Sequence, residues 1–138
     1  MITRPRVAHK PEDYSFIQQR INYAMVRNGV LYVSIAHPTY AESSPQNAYA
    51  AAVDLSSGKL LWKSQSLVSN GRCFDIVDGV LICGYGFTAE PDYIYQLDTA
   101  TGRVLASTPV KSKADYLIVR DKTLYVRTYN TDYVYFIQ

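Results

Sequence analysis

The sequence predicts an all-β chain of repeated four-stranded antiparallel meanders. Apolar residues alternate, or run in fours and fives, between closely spaced turn signals, and no segment carries a helical period. The stretch Val53-Asp54-Leu55-Ser56-Ser57-Gly58-Lys59-Leu60-Leu61-Trp62 reads as strand, tight turn, strand. Asp54 is placed to accept turn N–H groups, and Gly58 can take the positive φ that other residues avoid. The pattern returns at Leu97-Asp98-Thr99-Ala100-Thr101-Gly102-Arg103-Val104-Leu105, with Asp98 standing 44 residues after Asp54. A hairpin repeated at that spacing marks propeller blades. The fold expected is a partial β-propeller of about three blades.

Residues 1–20 do not fit the repeat. Pro5 and Pro11 interrupt them, and Tyr14 to Gln18 is the one stretch with strand character. The first blade, about 21–65, opens with the short apolar strand Tyr23 to Val26, turns at Asn28-Gly29 and returns through Val30 to Ile35. A polar loop leads to a third strand over Ala48 to Val53 and a fourth over Lys59 to Ser64. The second blade, about 72–108, runs Cys73 to Val77, turns at Asp78-Gly79, and continues through Val80 to Tyr85, Asp92 to Leu97 and Arg103 to Thr108. The third, about 113–138, has strands at Asp115 to Val119, Thr123 to Arg127 and Tyr133 to Ile137, with a turn at Asp121-Lys122. Aligning Tyr133 with Tyr93 puts Gln138 where the turn-forming Asp belongs, and the fourth strand is missing.

The chain's 14 basic and 12 acidic residues, with no like-charge run, speak against a nucleic-acid platform, which needs a clustered basic stripe. No apolar stretch approaches the ~18 residues of a membrane span, and the first ten residues lack the apolar core of a secretory signal. Compartment is left unknown. Tyrosine is the compositional outlier, with 13 Tyr beside 4 Phe and 1 Trp. It suits strands packed between blades, the preferred reading, and after that a surface with one wet and one dry side. Cys73 and Cys83 flank the Asp78-Gly79 turn. A two-residue turn sets Cys83 opposite Phe74 and Cys73 opposite Gly84, with the thiols on opposite faces, whereas a three-residue loop would bring them together. Because Asp-Gly is the preferred two-residue turn, two buried free thiols are expected.

With these residues in view, the chain resembles the PQQ-like (pyrroloquinoline-quinone-type) β-propeller repeat over roughly residues 21–138. Ala52-Val53-Asp54 through Ser57-Gly58-Lys59 to Trp62 carries the likeness, and Leu97-Asp98 through Thr101-Gly102-Arg103 repeats it with Ala106 in place of the Trp. The resemblance implies that Asp54, Gly58, Asp98 and Gly102 build the turns and that Trp62 packs between neighbouring blades. It is also compatible with an extracytoplasmic home. Cofactor binding does not carry over, because the cysteines are ten positions apart rather than vicinal and no carboxylate cluster accompanies them.

Propellers typically close with four to eight blades, so three leave open apolar faces and an unpaired edge. The expectation is either self-association as a half-ring dimer or membership of a longer protein with further blades. Residues 4–18, and Tyr14 to Gln18 above all, could supply the missing outer strand. Candidate binding residues sit where loops between second and third strands share a side with the blade links: His37, Tyr40, Arg72, Phe87, Glu90 and Tyr129. Glu42, Asp92, Lys111 and Asn130 fall on the same side. His37, preceding Pro38 in a loop, is expected to be exposed. Two histidines without ligand spacing, and cysteines with no nearby histidine, offer no catalytic or metal site. The function expected is a non-catalytic binding or scaffold module for a protein or extracellular ligand. The alternative is a piece of a larger propeller enzyme whose active site lies mostly outside this chain.

Overall fold

The structure, a computed structural model, describes residues 19–38 and 45–138. Every regular element among them is a strand: β1 Arg20–Arg27, β2 Val30–Ala36, β3 Tyr49–Asp54, β4 Leu60–Lys63, β5 Asp75–Val77, β6 Val80–Tyr85, β7 Asp92–Asp98, β8 Val104–Val110, β9 Tyr116–Arg120, β10 Thr123–Arg127 and β11 Asp132–Phe136. They form three antiparallel sheets in chain order, β1 to β4, β5 to β8 and β9 to β11, each strand beside its sequence neighbour. The last sheet has three strands among the described residues.

Each blade opens with the same two-residue turn. Asn28-Gly29, Asp78-Gly79 and Asp121-Lys122 all take positive φ at both positions, the turn whose twist matches a hairpin. The second hairpin of each complete blade also repeats. The Asp54 carboxylate accepts the Ser57 N–H at 2.9 Å, and that of Asp98 accepts the Ala100 N–H at 2.8 Å. Gly58 and Gly102 then turn through φ of +69° and +72°. Beyond each turn the register slips by one, between Ala52 and Val53 and between Gln96 and Leu97. Trp62 pairs with Ala52 and Ala106 with Gln96, so Ala106 holds the tryptophan's place in blade 2.

The third blade corrects the expected register by two residues. Phe136 pairs with Thr123 as Asp98 pairs with Val80, so Phe136 occupies the turn-aspartate position and Tyr133 matches Tyr95. The backbone agrees, since Ile137 N–H donates to Lys122 O as Thr99 N–H donates to Gly79 O. The slip arises because the β10–β11 connection is shorter than its counterpart, a difference that leaves the inward-facing set unchanged. The Tyr14 to Gln18 stretch lies outside the described residues.

The core consists of two blade-to-blade seams. Tyr32, Ala50, Ala52 and Trp62 of blade 1 pack on Phe74, Leu81, Cys83 and Leu97 of blade 2. Ile82 and Ile94 on the other side of blade 2 pack on Leu117, Leu124 and Val126 of blade 3. Trp62 anchors the first seam: its ring packs closely against Gly102, and its Nε1–H donates to Thr99 O at 2.8 Å. Both thiols are free. Cys83 is buried and donates to Val68 O; Cys73, expected buried, is only half so and donates to Leu117 O. Inner strands are tied across the second seam by Asp75, whose carboxylate accepts the Val119 N–H at 2.9 Å.

Candidate functional site

The ends of β2, β6 and β10 and the links between blades come together on one face. Side chains in the links clamp this face. Asn70 donates to Gly86 O at 2.7 Å and accepts the Gly86 N–H at 3.1 Å. In the next link the Ser112 hydroxyl accepts the Tyr129 N–H at 3.2 Å. Gly86 and Tyr129 are equivalent positions, so the same strap is built twice from different residues. Blade 1 uses a local version, in which the Asn47 amide accepts the His37 N–H at 2.9 Å and donates to His37 O at 2.8 Å.

That clamp corrects the expectation for His37. The residue is 4 % exposed, held inward beside buried Asn47, and burial pushes its imidazole below the ordinary value of 6.5. A His-Pro loop looked solvated because the amide partner ten residues away is invisible to local reading. Tyr40 lies outside the described residues.

Around blade 2 the face carries a compact polar cluster. The Tyr85 hydroxyl donates to Glu90 Oε2 at 2.5 Å. Asp92 rests against Gly86 so closely that a β-carbon there would stand 1.9 Å from its Oδ1 and 2.7 Å from Lys113 Cβ. Burial and the neighbouring Glu90 carboxylate raise the Asp92 carboxyl, against the pull of Lys113 and the Phe87 N–H. Lys113 is half-buried. Burial lowers its ammonium, Arg72 adds to the lowering, and Asp115 and Asp92 oppose it. Burial first, then Glu90, pushes the Tyr85 hydroxyl above its ordinary range.

The structure therefore brings Arg72, Phe87 and Glu90 into one neighbourhood and reaches Tyr129 through the adjacent link. His37 is turned inward. Sequence reading missed Tyr85, Lys113 and Asn70, because a strand-end tyrosine and link residues carry no motif. Gly86 was the available signal: a glycine directly after a strand marks close approach. The arrangement offers alternating cations and carboxylates beside an exposed Tyr129 ring, which suits polar and aromatic contact with a surface. Among the described residues, no group of three His, Cys, Asp or Glu could hold a metal ion.

No family model matches the chain, and no curated protein matches it in sequence. Among solved structures, the chain is similar to the computationally designed Ika4 protein, with a TM-score of 0.53 and 13% identity, over 88% of this chain and 93% of that one. The fold is a partial β-propeller. Two further similarities are slighter. The computationally designed Ika8 protein matches with a TM-score of 0.44 and 14% identity over 85% of this chain and 46% of that one. BamB from Moraxella catarrhalis gives 0.34 and 13% over 76% and 39%. At these identities the likeness is one of fold alone.

Proposed function

We propose that this chain is a non-catalytic binding or scaffold module of the PQQ-like propeller type, presenting its clamped loop face to a protein or extracellular ligand. The observation that carries the reading is the polar cluster of Arg72, Glu90, Asp92 and Lys113. It lies on two blade links and a loop, and Asn70 and Ser112 of those links hydrogen-bond the loops at Gly86 and Tyr129. Loops fixed to a stiff scaffold present a preorganised surface, which lowers the ordering cost of recognition. The PQQ-like assignment is supported by the repeated Asp-to-Gly turn and by Trp62 seated on the next blade's Gly102.

The test is photo-crosslinking in the native host from a reactive residue placed at Tyr129, compared with one at Lys122 on the opposite face. A discrete adduct from position 129 that an Arg72→Glu variant loses, with its circular dichroism unchanged, is the expected result. Equal adducts from both positions, or none from 129, would refute the reading.

A further inference from the structure

The two open ends of the blade row are built like the seams inside it. In blade 1, the side facing blade 2 buries Tyr32 and Ala52; in blade 2, the equivalent side buries Ile82 against blade 3. The same positions in blade 3, by strand register, are Tyr125 and Val134. Tyr125 is 48% and Val134 55% exposed, against 8% for Tyr32, 0% for Ala52 and 4% for Ile82. Ile118, the counterpart of the seam residue Asp75, is 43% exposed and pairs with Tyr125, which pairs in turn with Val134. An apolar row thus crosses all three strands of blade 3 where the repeat would seat another blade.

Blade 1 carries the complementary surface. The receiving side of blade 2 uses Ile76, Leu81 and Leu97, and that of blade 3 uses Val119, Leu124 and Tyr135. Their register equivalents in blade 1 are Val26, Leu31 and Val53, of which Val26 is exposed and the other two half-buried. Val33 and Ala51, on the same side, are already shielded. One end of the row therefore presents a blade-giving face and the other a blade-receiving face.

We infer that the open face of blade 3 docks on the open face of blade 1 of a second copy. Unlike faces joined head to tail must close into a ring or grow without limit. Two copies give six blades, inside the range in which propellers close, whereas three copies give nine, outside it. The assembly is therefore a two-fold dimer in which each seam repeats the internal ones. By the Asp75–Val119 precedent, Ile118 of one copy meets Val26 of the other.

Light scattering of the full chain is the test, with a mass of about twice 15.6 kDa expected. A Tyr125→Glu, Val134→Lys variant is expected to be monomeric, and a Leu105→Glu control on β8 dimeric. Should the double variant fail to fold, mixing Ile118→Cys with Val26→Cys copies under mild oxidation is expected to give a disulfide-linked dimer that a Leu105→Cys and Val26→Cys mixture does not. A wild-type monomer at about 100 μM, a dimer indifferent to the flank substitutions, or equal crosslinking in both mixtures would overturn the docking.

Discussion

Two glycines in the same turn position do different jobs. Gly58 has φ +69° with nothing within 4 Å of a would-be β-carbon, whereas Gly102 has φ +72° and would meet Trp62 Cε3 at 2.4 Å. Gly58→Ala should therefore cost only left-handed strain, about 1 kcal/mol. Gly102→Ala adds a collision with a buried indole and should cost about 3 kcal/mol or more in urea unfolding. Trp62 gives the reciprocal check. Trp62→Phe gives up the bond to Thr99 O, about 1 kcal/mol, while Trp62→Ala opens the seam and should cost about 3–5 kcal/mol. The turn residues were legible in the sequence, because Asp54, Gly58, Asp98 and Gly102 recur in one pattern, whereas the packing of Trp62 was expected only from the resemblance. The inward turn of His37 was not. Its partner Asn47 lies across a loop that local spacing does not describe.

At the level of elements, the three opening turns share one geometry but not one chemistry. Blades 1 and 2 put Gly29 and Gly79 at the second turn position, and blade 3 puts Lys122 there at φ +59°. Relief of that strain outweighs the added freedom of the unfolded chain, so Lys122→Gly should raise stability by about 0.5 kcal/mol, seen as a higher urea midpoint with unchanged slope. Strand order and hairpin pairing followed from the turn signals, and the Asp-Gly turn correctly kept Cys73 and Cys83 apart. The β11 register did not follow. Tyr133, Val134 and Tyr135 repeat the tyrosine alternation of Tyr93, Ile94 and Tyr95, so a slip of two residues preserves the pattern on each face. Only the length of the β10–β11 connection fixes which pairing forms.

For the whole molecule, burial of neutral acids sets a pH limit. Burial pushes the Cys83 thiol from 9.0 up to about 12, and burial likewise raises the hydroxyls of Tyr49, Tyr85, Tyr95 and Tyr135 from 10.0. Each folded value lies above its unfolded one, so the stabilisation is complete below the unfolded value and is lost as pH rises toward the folded one. Unfolding midpoints should therefore fall steadily above about pH 9, and Cys83→Ala should flatten the first part of that decline. A thiol reagent at pH 8 should label Cys83 only as fast as the seam opens, in keeping with its complete burial.

The division between the two sources of information is physical. Alternation, turn chemistry and the repeated Asp-to-Gly hairpin are local, and by themselves they determined an all-β chain, its three meanders, its two free thiols and the residues of its turns. What sits on what is decided by contacts between residues far apart in the chain. Tertiary structure alone set Trp62 on Gly102, drew Lys113 between Arg72 and Asp92, buried His37 and left Tyr125 and Val134 facing outward. Those placements depend on the stacking of one blade against the next, which no stretch of sequence within a single blade encodes.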